Sequence, residues 1–274
     1  MILGIDVGGS TTKIVGLEPN GKCIGKLQVE AGDQTTSAYG AFGKFASSEK
    51  LSINDIKQIV LTGVGSSHLV DGMYGIPTKR VDEFVAIGLG GLALAKLPYA
   101  LIVSVGTGTA LVRADKTNIK HIGGSGVGGG MLLKLAERFA GIHSLAGITE
   151  IASLGDLSAI DLQLKHISKE RIGNLPPEAT VSNFGNLKDN AQPADIVIGL
   201  INLIFESIGM MAVFATLEGK VKDVVVVGAM ALSSHAPAVF DTLSKIHPVK
   251  FYIPKDAMYA TALGAALSEI KHKP

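Results

Sequence analysis

A turn rich in glycine and hydroxyl side chains follows the first apolar run of the chain. Residues 8–13 read Gly-Gly-Ser-Thr-Thr-Lys, and Asp6 stands just before them. Glycines let backbone N–H groups approach an anion, while the hydroxyls and the lysine add donors and positive charge. A carboxylate repels phosphate, so Asp6 fits such a cradle mainly as a ligand for Mg²⁺, direct or through water. The pattern predicts a polyphosphate site with its metal, and a plain hairpin turn is the alternative.

Two further glycine clusters carry no charge. Residues 106–109, Gly-Thr-Gly-Thr, could offer backbone and hydroxyl donors to the other side of a phosphate chain. Residues 123–130, GGSGVGGG, lead into a predicted helix, whose N-terminus favours anions. A flexible hinge is the alternative for this run. Its GxGxxG match predicts no dinucleotide site, because the preceding NIKHI makes a poor buried strand.

Two adjacent carboxylates, Asp82 and Glu83, precede an apolar helix predicted over residues 84–95. Transfer of phosphate to an alcohol is assisted by a carboxylate that accepts the hydroxyl proton. At the start of a helix, however, either residue could instead cap the helix. The pair therefore supplies a candidate general base and a competing structural explanation.

The elements that must position these residues alternate between strands and helices, which predicts an α/β fold. Apolar runs starting at residue 3 and near residue 101 both read strand, turn, strand, and this weak repeat predicts two similar halves. A long loop is expected over residues 171–192. Strands are predicted at 2–5, 13–17, 58–62, 100–105, 109–113 and 223–228, and helices at 84–95, 131–140, 193–218 and 257–271.

Composition excludes several classes of protein. Among the 274 residues, 25 Lys and Arg nearly balance 24 Asp and Glu, which argues against a dominant role in nucleic-acid binding. The single cysteine, Cys23, excludes an internal disulfide framework and a multi-cysteine metal site. Apolar runs are interrupted by polar residues, so no transmembrane helix is expected. No basic region precedes the first apolar stretch, so no signal peptide is expected. We therefore expect a cytoplasmic globular protein that binds neither membranes nor nucleic acid.

Together these motifs resemble the actin-like ATPase fold that sugar kinases, actin and heat-shock chaperones share. More narrowly, the sequence is similar over nearly its whole length to the bacterial type II pantothenate kinases. The phosphate turns are common to the fold, whereas the IDLQLKHI and SNFG blocks are far more specific to the family. The matching blocks are GIDVGGSTTKIV, DEF with GLG behind it, SVGTGTAL, GGSGVGGGM, GDLSAIDLQLKHI, VSNFG and TALGAAL.

The resemblance implies two actin-like, ribonuclease H-like α/β domains that face each other across a nucleotide cleft, formed by residues 1–97 and 98–274. It implies that ATP and Mg²⁺ bind between them, and that long helices of the second domain form a homodimer. The implied reaction transfers the γ-phosphate of ATP to the primary hydroxyl of pantothenate, the first committed step toward coenzyme A.

The resemblance also assigns roles to residues of this chain. Glu83 matches the general base, and Asp6 matches a residue that binds the metal as well as ATP. Leu145 falls near an aromatic position of the family, and Ala229 falls where the bacterial family has a serine. The implied nucleotide contacts are Asp6, Val7, Gly8, Gly9, Ser10, Thr11, Thr12, Lys13, Gly106, Thr107, Gly108, Gly129, Gly130, Met131, Leu132, Leu133, Leu145, Gly228 and Ala229.

One departure concerns the acceptor. The family carries an arginine near the substrate immediately before IGG, and this chain has His121 there. Arginine is always charged and can bind a carboxylate with a two-pronged fork, whereas histidine is mostly neutral at pH 7. Arg80 could compensate, so His121 and Arg80 are the candidate acceptor residues for the pantothenate carboxylate.

Other functions of the same fold stay open. The acceptor could be a related small alcohol, or the protein could be an ATP-hydrolysing activator of a partner enzyme or a nucleotide sensor. The sugar kinases of this fold usually carry a zinc cluster of cysteine and histidine, and a single cysteine excludes that version. Activators that resemble those of dehydratases share an iron–sulfur cluster through cysteines, which this chain lacks.

Overall fold

The computed structural model describes residues 1–30, 32–69, 72–170, 172–219 and 221–270. The first part of the chain folds into one mixed sheet with helices against it. Its elements are β1 (Ile2–Val7), β2 (Thr11–Leu17), β3 (Cys23–Glu30), α1 (Gln34–Ser48), β4 (Gln58–Thr62), β5 (Thr78–Arg80) and α2 (Glu83–Ala95).

The second part of the chain forms another sheet and most of the helices. Its elements are β6 (Tyr99–Val105), β7 (Thr109–Asp115), β8 (Ile119–Ser125), α3 (Gly129–Ala140), α4 (Leu145–Ala152), β9 (Leu162–Gln163), α5 (Leu164–Ile167), β10 (Thr180–Ser182), α6 (Pro193–Gly219), β11 (Asp223–Val227), α7 (Ala236–Ile246), β12 (Lys250–Tyr252) and α8 (Ala260–Leu267).

The two five-stranded sheets repeat one topology. The strand order is β3-β2-β1-β4-β5 in the first sheet and β12-β11-β6-β7-β8 in the second. In each sheet, three consecutive strands pair antiparallel. A later strand pairs parallel with the first of these three (β4 with β1, β11 with β6), and one more strand pairs parallel with that later strand (β5 with β4, β12 with β11). The weak repeat in the sequence therefore corresponds to two copies of the same strand arrangement.

Every strand predicted from the sequence forms, with its ends shifted by at most two residues. The helix predicted at 257–271 is a 3₁₀ turn (Ala257–Tyr259) followed by α8, and residue 271 lies outside the described residues. The expected loop at 171–192 contains the short strand β10, and its first residue is also outside them. The NIKHI segment (118–122), which makes a poor buried strand by sequence, lies mostly in the edge strand β8, where no side chain is buried.

The last helix returns to the first sheet. Ala262 and Ala266 of α8 are fully buried against Val15 and Leu17 of β2. Ala265 packs with Val60 of β4 and with Ala86 of α2. The division of the chain at residue 97 stays a prediction, and α8, which follows that division in the sequence, completes the core of the first half.

Helices α2 and α8 cross at backbone contact. A Cβ atom at Gly90 would overlap the carbonyl oxygen of Ala260, and one at Gly264 would overlap the carbonyl oxygen of Ala86. Only glycine permits this approach. On its other side α2 contributes Ile87 to the core of the second half, so this helix connects the two sheets.

Helix α6 is the long core helix of the second half. Within the described residues it is the one helix long and apolar enough to cross a membrane, and 67% of its apolar window is buried inside the protein. Its Asn202 amide donates to the Asp161 carboxylate at 2.8 Å, which also accepts from the Phe184 N–H at 2.8 Å. Burial raises the pKa of Asp161. The two blocks specific to the family resemblance therefore meet at this helix.

The helix crossing generates a stability prediction. Gly264→Ala should lower the free energy of unfolding by about 2 kcal/mol or more, because overpacking against a rigid backbone typically costs about 1–3 kcal/mol. Urea denaturation monitored by circular dichroism measures the change. Gly40→Ala in α1, where a Cβ meets nothing within 4 Å, is the matched control and should stabilise by about 0.5–1 kcal/mol. Equal effects of the two substitutions would contradict the tight crossing.

Candidate active site

A cavity of about 440 Å³ lies between the two sheets. Both glycine turns, the start of α2 and the segment after β11 contribute to its wall. The predicted site residues that line it are Asp6, Gly8, Gly9, Ser10, Thr11, Lys13, Glu83, Gly106, Thr107, Gly108, Gly129, Gly130, Leu133, Leu145, Gly228 and Ala229.

The first turn is a hairpin and also a wall of the cavity. The Gly8 N–H donates to the Thr11 carbonyl at 3.1 Å, which closes the loop between β1 and β2. Successive side chains of a strand point to opposite faces. Thr11 and Lys13 therefore reach the cavity, whereas Val7 and Thr12 are fully buried on the other side and do not line it.

Opposite charges meet at the base of this turn. Lys13 Nζ lies 3.9 Å from Asp6 Oδ2 and 2.8 Å from Thr11 Oγ1. Both charged residues are buried, and β1 and β2 pair them directly across the strands. Burial raises the pKa of Asp6, and the Lys13 charge opposes that shift in part. A cation bound at Asp6 would relieve the cost of burying its carboxylate.

The sequence offers two roles, helix cap and general base, for the two carboxylates at the start of α2, and the structure separates the two residues. Asp82 Oδ1 accepts hydrogen bonds from the N–H groups of Phe84 at 2.9 Å and Val85 at 3.1 Å, so Asp82 caps the helix. Glu83 instead lines the cavity. Burial, followed by the charges of Asp6 and Asp82, raises the pKa of Glu83. The charge of Asp6 therefore acts on Glu83, and both residues line the same cleft.

The second turn is joined to the start of α3. The Gly129 N–H donates to the Gly106 carbonyl at 2.8 Å, and the Gly130 N–H donates to the Thr107 carbonyl at 2.9 Å. A Cβ at Gly128 would lie 2.7 Å from the Thr107 carbonyl oxygen. The end of the glycine run at residues 128–130 is thus close-packed on the second turn, and the first two N–H groups of α3 bind that turn.

Two cavity-lining glycines have no packing reason to be glycine. A Cβ at Gly9 or at Gly106 would meet nothing within 4 Å. The missing side chains leave the cavity open on both sides. These positions are where a phosphate chain could contact the backbone of both turns.

A smaller cavity of about 130 Å³ adjoins the far end of the cleft. Leu145, Ala229 and Met230 line both cavities, and Leu132 lines the smaller one. Gly228, at φ 96°, lies so close to Val105 that a Cβ would overlap its carbonyl oxygen. This end of the cleft is mostly apolar and suits a flat ring.

The remaining predicted residues lie outside the lining of the main cavity. The exposed His121 ring stacks on Phe84, with ring centroids 3.8 Å apart and planes 9° from parallel. The Arg80 guanidinium donates to the carbonyls of Ser67 at 3.3 Å and Leu69 at 3.0 Å. Met131 packs against the core of the second half of the chain.

Several lining residues were not predicted. Thr109 is the last residue of the second turn, and Ser104 stands two residues before that turn. Thr261 begins the TALGAAL block, so the positions of these three residues in or beside named motifs were an available signal. Val64, Ile87 and Met258 are apolar and carry no motif. The additional lining residues are Val64, Ile87, Ser104, Thr109, Ala110, Ser125, Met230, Met258 and Thr261.

The open glycines generate a binding prediction. Gly106→Val should weaken binding of a non-hydrolysable ATP analogue by about tenfold or more, because the new side chain would occupy the cleft. The same substitution should change the free energy of unfolding by less than about 0.5 kcal/mol. Gly124→Val, where a Cβ would lie 2.6 Å from the Thr109 carbonyl oxygen, should instead lower the melting temperature. Calorimetry measures both quantities, and unchanged binding by Gly106→Val would contradict a ligand at this turn.

Solved structures share this architecture. The activator of the 2-hydroxyisocaproyl-CoA dehydratase from Clostridium difficile, with bound ADPNP, matches at a TM-score of 0.69 and 19% identity, covering 98% of this chain and 94% of that one. A ROK family glucokinase from Streptomyces griseus, in complex with glucose and AMPPNP, matches at 0.60 and 10% identity, covering 97% and 98%. The predicted fold, two actin-like ATPase domains facing across a cleft, is confirmed.

Sequence comparisons identify relatives over the full length. A type II pantothenate kinase of Staphylococcus haemolyticus is 28% identical over 275 residues, covering 97% of this chain and 98% of the relative. One of Staphylococcus aureus (strain USA300) is 28% identical over 282 residues, covering 98% and 100%. The sequence model of the Fumble family matches residues 93–265, more than half of the chain. The protein therefore belongs to the Fumble family.

Proposed function

We propose that this protein is a kinase that transfers the γ-phosphate of ATP to the primary hydroxyl of pantothenate. The observation that carries the proposal is the environment of Glu83. Its neighbour Asp82 caps α2, which leaves Glu83 free to line the cavity between the two phosphate turns. The names of the full-length relatives support the same reaction and the same acceptor.

The nucleotide would lie along the cleft between the two turns. Its phosphates would meet the first turn, with Lys13, and the second turn, with Thr107. Its base would point toward the apolar end, near Leu145 and Ala229. Two of the structural neighbours carry ATP analogues, which supports ATP as the donor.

Mg²⁺ fits the donor set of the cleft. This ion usually binds through one or two carboxylates together with substrate phosphates. Among the described residues no group of three or more His, Cys, Asp or Glu side chains could form a separate metal cage. Asp6, buried and raised in pKa, is the carboxylate that would hold it. When bound, the ion would neutralise charge on the phosphates.

The chain's own residues account for the transfer step. Glu83 would accept the proton of the acceptor hydroxyl while the oxygen of that hydroxyl bonds to the γ-phosphorus. The bond from that phosphorus to the β–γ bridging oxygen breaks, and ADP leaves with the electron pair. Lys13 would stabilise the charge that develops on the phosphates. The raised pKa of Glu83 suits a base that must hold a proton near neutral pH.

We also propose that the protein forms a homodimer in the cytoplasm and binds neither membranes nor nucleic acid. Large apolar side chains are exposed on the helices of the second half, including Phe139 of α3 and Phe214 and Leu217 of α6, at 61%, 63% and 67%. Such residues favour a protein interface. Their place on the long helix agrees with the dimer that the resemblance implies.

The alternative functions have support of their own. The structural match to the dehydratase activator fits an ATP-hydrolysing activator or a nucleotide sensor. His121, where the related kinases carry an arginine, fits a small alcohol other than pantothenate as the acceptor. Each alternative differs from the proposal in how ATP consumption depends on added pantothenate.

Glu83→Gln tests the base. The wild type should form ADP only when pantothenate is present, and the variant should lose at least about 10²-fold of that rate while still binding ATP. Coupled ADP detection measures both. In the wild type, kcat/KM should fall as pH falls through an apparent pKa above the ordinary glutamate value of 4.5, because Glu83 must be ionised to act.

The same variant has a built-in control for folding. A carboxyl with a raised folded-state pKa destabilises the protein once it ionises, so Glu83→Gln should raise the melting temperature slightly at neutral pH. That gain should vanish below pH 4.5, where the carboxyl is protonated in both states. The exposed Glu150→Gln should change neither activity nor stability. Equal ADP formation with and without pantothenate in the wild type would contradict the proposal that the protein is a pantothenate kinase.

His121→Arg tests the acceptor site. Arginine stacks on aromatic rings as histidine does, and its fork can bind a carboxylate. The variant should therefore keep its contact with Phe84 and lower the KM for pantothenate, with the KM for ATP unchanged. Steady-state kinetics measure both constants, with Lys120→Arg, exposed on the same strand, as the control. An unchanged KM for pantothenate would mean that the acceptor carboxylate binds elsewhere.

A further inference from the structure

Val64 has an apolar side chain that is exposed to solvent at the charged end of the cleft. It is 69% exposed, yet it lines the main cavity. The carboxyl groups of Asp6 and Glu83 line the same cavity. Among the exposed large apolar side chains of the described residues, Val64 and Leu145 are the two that line this cavity.

The backbone places Val64 beside the proposed reaction centre. It begins the 3₁₀ turn 64–68 directly after β4. The preceding Gly63 has φ 85°, and a Cβ there would lie 2.6 Å from Asp6 Oδ1. Val64, Asp6 and Glu83 line the main cavity and do not line the smaller apolar one. Val64 therefore belongs to the charged end of the cleft, where the acceptor would react.

The turn that carries Val64 is tied down along its length. Ser66 Oγ donates to the Gly63 carbonyl at 2.7 Å. A Cβ at Gly65 would lie 2.7 Å from Val7 Cγ1, so the turn packs directly on β1. Leu69, at the end of the turn, is buried in the first core. The side chain of Val64 is therefore presented from a fixed position.

Arg80 completes this support. Its guanidinium donates to the carbonyls of Ser67 and Leu69, and Arg80 does not line the cavity. Its hydrogen bonds hold the backbone of the turn. Arg80 is thus placed to act on a ligand through Val64 rather than by contact with a carboxylate.

We propose that Val64 is a specificity-determining residue for the acceptor and that Arg80 is the positioning residue that holds it. Ile87 lies one helical turn after Glu83 on the same face of α2 and also lines the cavity. Val64, with Ile87 buried in the wall of the same cavity, selects an alcohol with a branched apolar carbon beside its hydroxymethyl group, as pantothenate has. A polyhydroxylated acceptor would leave hydroxyl groups unpaired there. This inference rests on the proposed kinase function.

The first test changes Val64 alone. Val64→Ser should raise the KM for pantothenate by about tenfold, the scale that small apolar contacts contribute to discrimination. The KM for ATP and kcat should stay within about twofold of wild type. Ile53→Ser, which also removes an exposed apolar side chain of the first half (49% exposed), is the matched control and should change none of the three constants.

The second test separates positioning from direct contact. Arg80→Met should raise the KM for pantothenate, and Arg80→Lys, which keeps a donor for the carbonyls, should restore part of the loss. Combined with Val64→Ser, Arg80→Met should add little further, because both changes remove the same contact. Additive effects on KM would show that Arg80 binds the acceptor itself and would overturn its positioning role.

The outcomes distinguish this inference from the function on which it rests. A wild type without pantothenate-dependent ADP formation overturns both. An active wild type in which Val64→Ser leaves the KM for pantothenate unchanged overturns the assignment of Val64 alone.

Discussion

The geometry of the cleft depends on one backbone contact, the crossing of α2 and α8 at Gly90 and Gly264. Helix α2 starts at Glu83, contributes Ile87 to the second core and touches α8, which itself rests on the first sheet. Any side chain at the crossing would push the two helices apart. The position of the proposed base relative to the two phosphate turns therefore depends on this crossing.

Burying the charged residues at the first turn costs the protein folding stability when no ligand is bound. Asp6 is buried beside Lys13, and Glu83 faces Asp6 across the same cavity. Burial raises the pKa of both carboxyls, and the charges of Asp6 and Asp82 raise the pKa of Glu83 further. A bound cation and phosphates would change that balance, so ligand binding and the charge state of this end of the cleft are coupled.

Local patterns in the sequence predicted the parts of the fold that have a clear period. The buried strands β1, β4, β6 and β11 are continuous apolar runs, and they form where expected. The edge strands β3 and β8 and the helix α1 mix polar and apolar residues without a sharp period, and they were missed. No side chain of β3 or β8 is buried, and the pairing of these strands and the packing of α1 depend on partners elsewhere in the chain, which no local pattern records.

The same distinction holds for the site. Both turns and Glu83 carried motifs, and the structure brings them to one cavity. Strand alternation turned Val7 and Thr12 inward, although they stand in the same motif as Lys13. Val64 carried no motif, because its place in the cleft comes from the turn that holds it.

The return of α8 to the first sheet has a consequence for biosynthesis. The nascent chain emerges from the ribosome N-terminus first, so β1, β2 and β4 are available long before residues 260–267. Until those residues emerge, the face of the first sheet that carries Val15 and Val60 lacks its covering helix. The first half of the molecule is thus synthesised before the helix that completes its core, and a ribosome that stalls before residues 260–267 would leave an apolar sheet for chaperones to shield.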